Sequence, residues 1–582
     1  MKIFKSFRWV DYLLAVLLIA IVLLQVSFEM KLIDSMGELV GVIQNHYQYN
    51  TALTMADIWA VALRMLINAG VILVSVLIVN FLASYISASV AMNLRRNIFV
   101  KVQNFSKEQI DKFSTASLIT RSTSDVTQVQ QTIQQLLKMA TTAPLMAGYA
   151  IKQIVASSFE LTVATAISLV VMLALIVVTF VLIAPKFNLL QKKTDRLNLI
   201  ARENLMGIRV IRAFNTEKIQ EQKFASANED ATKTMLFVNR VTSFMMPGMT
   251  LIMNSMSLVI YWLGAALINN GTLEYYKMIT FSQYSMHVLM SFMLISVIFL
   301  TFPRGYVSAK RINEILKEES KILDGQDLMP KTSEGVVEFK NVTFRYPDAQ
   351  VDVLTDISFI AEKGETVAFI GSTGSGKSTL INLIPRFFDV SQGEVLVDGK
   401  NVKDYKLDDL NRLIGYVPQK SYLFTGNIRN NICLGKEDAT DEQVEEALKI
   451  AQASDFVNAL EDGVEHHIER GGTNVSGGQR QRLCIARAIL KDPEIFIFDD
   501  SFSALDYKTD KKLRAELMEK TKDKTRLIVA QRIGTILDAD KIIVLQDGKM
   551  VGMGNHKYLM ENCKEYKEIA LSQLSEEELK NA

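Results

Sequence analysis

Residues 366–371 read TVAFIG, a short apolar run of strand type, and lead directly into Gly371-Ser372-Thr373-Gly374-Ser375-Gly376-Lys377-Ser378-Thr379. An apolar helix-forming stretch, LINLIPRF, follows. Strand, glycine-rich loop and helix in that order make a phosphate cradle. The glycines let backbone N–H groups curl around an anion, and the helix start adds its own N–H groups. Lys377 is then placed to reach the β- and γ-phosphates of a nucleotide, and the Ser378 hydroxyl to ligate Mg²⁺. A second apolar run, IFIFD at 495–499, ends in an acid. A carboxylate at the C-terminal end of a buried strand beside such a loop makes Asp499 the ligand of the Mg²⁺ shell. Between the two lies VSGGQ at 475–479, followed by a basic helix, RQRLCIARAIL. Ser476, Gly477, Gly478 and Gln479 form a second anion cradle at a helix start. One domain rarely needs two. The second is therefore expected to meet the γ-phosphate of a nucleotide held by another domain, in a head-to-tail pair with ATP between.

The elements that must position these residues fall into two contrasting halves. Around the cradles, short β runs alternate with helices, which is α/β composition. The N-terminal half is oily instead. Six apolar runs, at about 10–30, 58–86, 136–157, 161–184, 237–268 and 278–302, approach or exceed the roughly 20 residues a bilayer requires. The third is interrupted by Thr141, Thr142, Pro144 and Lys152. Lys2, Lys5 and Arg8 precede the first, but its apolar stretch is too long for a secretory signal and no small-x-small cleavage site follows, so a retained helix is expected. With 49% hydrophobic and 22% charged residues, the chain is neither disordered nor a string of ordinary soluble domains. Its 64 Lys+Arg against 63 Asp+Glu leave a net charge of +1 and no basic excess that would point to nucleic acid. Cys433, Cys484 and Cys563 are too few and too scattered for a disulfide framework or a thiolate metal site. The adjacent His466 and His467 are read as surface.

Charge sets an orientation. Arg95, Arg96, Lys101, Lys107, Lys112 and Arg121 lie between runs two and three, and Lys186, Lys192, Lys193, Arg196, Arg202, Arg209, Arg212 and Lys218 between runs four and five. The opposite loops carry little beyond Lys31, Lys152 and Lys277. The positive-inside rule places the two long basic loops and both termini in the cytoplasm. Leu197, Ile200, Leu205, Ile208 and Ile211 keep helical spacing within the second of them, so membrane helices should continue into the cytoplasm and turn near 112–117 and 213–217. The resulting plan is a transmembrane domain at 1–320, a charged linker at 321–334 and a nucleotide-binding domain at 335–582.

Together these motifs resemble the bacterial ABC exporter half-transporters over the whole chain. The resemblance implies an α-helical transmembrane domain of six membrane helices extended into the cytoplasm, followed by an α/β P-loop ATP-binding cassette, with ATP and Mg²⁺ as cofactors. It implies that Tyr346, in FRYP, stacks on adenine. Gln419, in YVPQK, would touch Mg²⁺ and the attacking water. Ser476, Gly477, Gly478 and Gln479 would be the signature, and Asp506, in SALD, the acid that communicates across the dimer. Glu469-Arg470-Gly471 and the stretches 213–217 and 112–117 resemble the parts that couple cassette to membrane helices.

Two positions depart from the family pattern. The residue after Asp499, usually a Glu acting as general base, is Asp500, and the switch histidine is replaced by Gln531 in Ala530-Gln531-Arg532. Asp is one methylene shorter than Glu, and a misplacement of order 1 Å in a catalytic group costs about 10²-fold. Gln531 can donate a hydrogen bond to phosphate but cannot carry charge. By the resemblance this is the degenerate-site subunit of a heterodimeric multidrug exporter, an ATP-hydrolysing translocase of the cell membrane whose partner supplies Glu and His. Its expected cargo is amphipathic small molecules, and its surroundings membrane lipid. Methionines on runs five and six, among them Met249, Met256, Met278 and Met290, suit varied ligands, and Gln283, Tyr284 and His287 on the sixth run are candidate substrate contacts. Export of lipid or peptide, and a mainly regulatory or ATP-gated channel role, are the alternatives; no Cys–His peptidase region precedes the first run, which disfavours peptide processing.

Overall fold

A computed structural model describes residues 2–49, 55–326, 333–347 and 349–574. Residues 327–332 of the expected linker, and 575–582, lie outside them. The chain forms two compact units, Met1–Gln103 with Thr115–Glu318, and Asn104–Ser114 with Glu319–Ala582.

The first unit is helical: α1 (Trp9–Tyr49), α2 (Met55–Gln103), α4 (Thr115–Ser122), α5 (Ser124–Val155), α6 (Phe159–Met206), α7 (Ile208–Ala213), α8 (Glu217–Asn269) and α9 (Tyr275–Lys317). The helix α3 (Lys107–Phe113) belongs to the second unit. Helices outrun the apolar runs because helical periodicity continues past them; α8 reaches 53 residues. Five of these helices are long and apolar enough to cross a membrane: α1 over Trp9–Gln44, α2, α6, α8 and α9. The third expected run falls on the second half of α5 and outlasts it by two residues; α5 stays helical through Pro144 but is more polar than the other five. Leu18, Val22, Val26 and Met30 recur every fourth residue on α1 and are fully or nearly buried, packing in one core with Val79 and Ile86 of α2 and Phe281 and Val288 of α9. The Thr280 side chain of α9 fills the space beside Gly37 of α1, where a Cβ would clash with its Cγ2. The expected turns fall at Ser114 and Asn215, both left-handed with φ of 59° and 50°.

In the second unit α3 is tied to the start of the cassette. The buried Gln109 donates to Glu319 O at 2.8 Å, and Lys321 pairs with Glu108. The first sheet, β1 (Val337–Phe344), β2 (Leu354–Ala361), β4 (Gln392–Val397) and β5 (Lys400–Asn401), is antiparallel in the order β2-β1-β4-β5. The second contains β3 (Thr366–Gly371), β6 (Ile414–Val417), β9 (Ile495–Asp499), β10 (Thr525–Val529), β11 (Lys541–Gln546) and β12 (Lys549–Gly554) in the order β12-β11-β3-β10-β9-β6. Its four pairings from β11 to β6 run parallel, with β12 antiparallel at the edge. A ribbon of β7 (Gly426–Asn427) and β8 (His467–Ile468) stands apart. All residues of β9 and β10 are buried, as central strands of a parallel sheet covered on both faces should be. One face packs against α10 (Lys377–Asn382), α11 (Leu407–Arg412) and the antiparallel sheet. The other packs against α12 (Ile428–Cys433), α13 (Asp441–Ile450), α14 (Ser454–Asn458), α15 (Gly477–Leu490), α16 (Tyr507–Lys520), α17 (His556–Asn562) and α18 (Lys564–Leu571).

Candidate nucleotide site

Parallel strands deliver their C-terminal ends to one edge, where ligands of open α/β sheets bind. Here β3 leads into the glycine loop, β9 into Asp499 and Asp500, β10 into Gln531, and β6 into Gln419. Register fixes the alignment: Val529 is opposite both Phe369 and Asp499. The turns are stitched by Asp500 N to Val529 O at 3.0 Å and Ala530 N to Phe369 O at 3.1 Å.

These ends enclose a cavity of about 250 Å³ lined by Thr373, Gly374, Gly376, Lys377, Ser378, Thr379, Gln419, Asp499, Asp500 and Gln531, with Val353 and Val529. Lys377 Nζ donates to Gly371 O and Ser372 O at 2.8 Å and to Ser375 Oγ at 3.3 Å. Burial pushes its pKa down, against the upward pull of Asp500 and Asp499. Ser378 Oγ donates to Asp499 Oδ1 at 2.8 Å. Burial pushes the Asp499 carboxyl up; the Ser378 bond pulls it down and the neighbouring Asp500 pushes it up again. A hydroxyl touching a carboxylate, with a second carboxylate beside it and one ammonium near both, is an oxygen-rich, negatively biased donor set that fits Mg²⁺. Ser378 and Asp499 would hold the ion, which would supply charge neutralisation to the phosphates when bound. Tyr346 is not among the cavity-lining residues; its hydroxyl lies 3.0 Å from Thr379 Oγ1 and its ring packs edge-on against Phe344 and Phe388.

Asp500 sits in the left-handed region with φ of 50°. Its Oδ2 accepts from Gln531 Nε2 at 2.9 Å and Gln419 Nε2 at 3.4 Å. Its carbonyl accepts from Ser503 Oγ and Gln481 Nε2. Ser476 lies outside the cavity and caps α15 in a reciprocal pair, Ser476 N to Gln479 Oε1 at 2.8 Å and Gln479 N to Ser476 Oγ at 3.3 Å. The cap accounts for Ser476 and Gln479, and close packing accounts for Gly478, whose Cβ would approach Ala504 O to 3.1 Å. Among the described residues, a Cβ on Gly477 would meet nothing within 4 Å.

Comparison with known proteins decides the family. Residues 11–293 match the ABC transporter transmembrane region and residues 354–503 match the ABC transporter family. An ABC transporter ATP-binding protein of Mycobacterium tuberculosis is 38% identical over 503 residues, 85% of each chain. This chain belongs to the ABC transporters. It has the bacterial exporter form, with transmembrane and ATP-binding domains fused in one multi-pass membrane chain. It is also 32% identical to the ATP-dependent lipid A-core flippase of Pseudomonas aeruginosa over 510 residues, 86% of this chain and 82% of that one. A bacterial Atm1-family ABC exporter solved with ATP bound shares the fold at a TM-score of 0.80, covering 97% of this chain and 98% of that one, at 22% identity.

Other parts of the exporter fall as follows. Asp506 caps α16, accepting from Thr509 N at 3.0 Å. Glu469 N donates to Asn474 Oδ1, and Gly471 N to Leu423 O. In the membrane unit Met249, Met256 and Met278 are core residues, whereas Met246 and Met290 are exposed. Tyr284 is buried and donates its hydroxyl to Asp34 on α1; His287, three residues on, has a buried Nδ1 with no hydrogen-bond partner among the described residues, and Gln283 is half-buried. Sequence reading missed Asp34 and Gln481. An acid on a long, otherwise apolar helix is a signal for the first. Nothing local marks Gln481, which matters only because the fold lays α15 under the Asp500 turn.

Proposed function

We propose that this exporter drives amphipathic small molecules of multidrug type across the cell membrane as one half of a heterodimer, with both termini in the cytoplasm. Its own site holds ATP and Mg²⁺ and hydrolyses slowly. Ser476, Gly477, Gly478 and Gln479 complete the site of a partner half-transporter that brings a Glu and a His. The observation that carries this reading is the state of Asp500: the acid is short, and its Oδ2 already accepts two amide hydrogen bonds, from Gln531 and Gln419. A general base must reach the water it deprotonates, and a carboxylate oxygen occupied by two amide donors is poorly disposed to do so. Gln531 supplies no positive charge for the phosphate.

The purified chain alone should turn over ATP barely above background, and a co-purified partner should restore turnover. Trapping during turnover should recover intact ATP from the site built on Lys377. Robust hydrolysis by the chain alone, with equal ADP at both sites, would overturn the asymmetric reading. Lipid export is the second reading, favoured by the 32% identity to the lipid A-core flippase. Stimulation of the heterodimer's ATPase by lipid but not by amphipathic drugs would select it.

A further inference from the structure

The bend that follows β10 carries Gln531 into the cavity, and the bend is held from outside by the residues just after α18. Gln573, two residues beyond α18, donates from Nε2 to Gln531 O at 2.8 Å and accepts at Oε1 from Ile533 N at 2.8 Å. A primary amide offers donor and acceptor side by side, so it can pair with two backbone groups of a bend much as a neighbouring strand would. On the other side of the bend Arg532 Nη2 donates to Ser503 O at 3.2 Å, next to the Asp500 turn.

Gln573 is itself well anchored. Tyr566 and Ala570 of α18 are fully buried in the cassette core, and Leu574 and Ile569 pack against it. Tyr566 OH lies 2.8 Å from His556 Nδ1, which joins α18 to α17. A continuous path therefore runs from a helix anchored by its buried Tyr566 and Ala570 through the Gln573 amide and the Gln531 backbone to the Gln531 side chain and Asp500 Oδ2.

We propose that Gln573 is a positioning residue of the nucleotide site: by fixing the Gln531 backbone it aims the Gln531 amide into the cavity, and so sets how strongly the site prefers ATP over ADP. The inference rests on reading the cavity as a nucleotide site and on Gln531 meeting the γ-phosphate, the group that distinguishes the two nucleotides. It does not depend on the asymmetric pairing.

The test is a Mg²⁺-nucleotide titration of the full-length chain in detergent, with fluorescent ATP and fluorescent ADP, for wild type, Gln573→Ala, Gln573→Glu, Gln531→Ala and the Gln573→Ala/Gln531→Ala double variant. Losing one pair of hydrogen bonds to the bend should lower the ATP-over-ADP preference between about threefold and tenfold with ADP affinity unchanged. Gln573→Glu should do at least as much, because a carboxylate cannot donate to Gln531 O and repels it. The double variant should be no worse than Gln531→Ala alone, since both act through one amide. An unchanged preference, an equal loss of ATP and ADP affinity, or additive effects in the double variant would overturn the proposal. A wild-type chain that bound neither nucleotide would refute the nucleotide reading as well, whereas normal binding with an unaltered preference would refute the Gln573 role alone.

Discussion

The cassette contains two glycine-rich turns that open helices, and they use glycine for opposite reasons. In the loop 371–379, Gly374 and Gly376 are left-handed with φ of 89° and 95°, and a Cβ on Gly371 would sit 2.0 Å from Leu545 O. The fold itself demands those glycines. In the turn at 476–479, neither Gly477 nor Gly478 has positive φ, and both are already residues of α15. Gly478 is needed for the close approach to Ala504 O, but among the described residues nothing lies within 4 Å of where a Cβ at 477 would sit. The first turn is a finished cradle lined by its own Lys377. The second is a smooth wall, open where a side chain at 477 would lie.

The largest test of that contrast falls on the smooth wall. In a partnered exporter, Ser476→Ala should lower ATP turnover by about 10²–10³-fold, as loss of one preorganised donor does, and Gly477→Glu should lower it at least as far by filling the space the backbone leaves open to the phosphate. The same variants should leave nucleotide binding to the isolated chain unchanged. Tolerance of Gly477→Glu would erase the distinction between the turns. Lys377→Ala should do the converse. It should weaken ATP binding to the isolated chain by about 10–100-fold, the worth of a charge-assisted contact, measured by equilibrium titration. Asp500→Asn should reduce partnered turnover by less than about tenfold, because Gln531 and Gln419 already occupy Oδ2. Complete loss would move the catalytic site into this chain. The smallest effect is Gly477→Ala in the isolated chain. Helical φ and open space predict a gain of about 0.5–1 kcal/mol, read as a rise of about 1–3 °C in the cassette's unfolding midpoint.

What could be read from sequence was local. Both strands, Thr366–Gly371 and Ile495–Asp499, form with the bounds their apolar runs suggest, because a buried parallel strand writes its whole length in one hydrophobic stretch. The glycine loop between strand and helix was equally plain. The long helices were legible, and so was their continuation past the apolar runs, because Leu197, Ile200, Leu205, Ile208 and Ile211 hold helical spacing and the polar clusters near 112–117 and 213–217 mark the turns found at Ser114 and Asn215. The grouping of 104–114 with the cassette unit depends on Gln109 finding Glu319 O, 210 residues away, and no pattern in the segment announces it. Asp34 and Tyr284 are brought together across 250 residues in the same way. Gln573 is an unremarkable glutamine near the end of the chain until the fold brings α18 beside the bend after β10.

The left-handed backbone at Asp500 has a consequence for how the site can change. Asp and Asn tolerate that conformation better than longer residues, because a short polar side chain bonds locally. Restoring the longer acid with Asp500→Glu would extend the carboxylate by a methylene while placing a less suited residue in that backbone, at a cost of roughly 1 kcal/mol. At this one position the reach of the acid and the ease of the backbone therefore pull in opposite directions, and an aspartate stays on the side of the backbone.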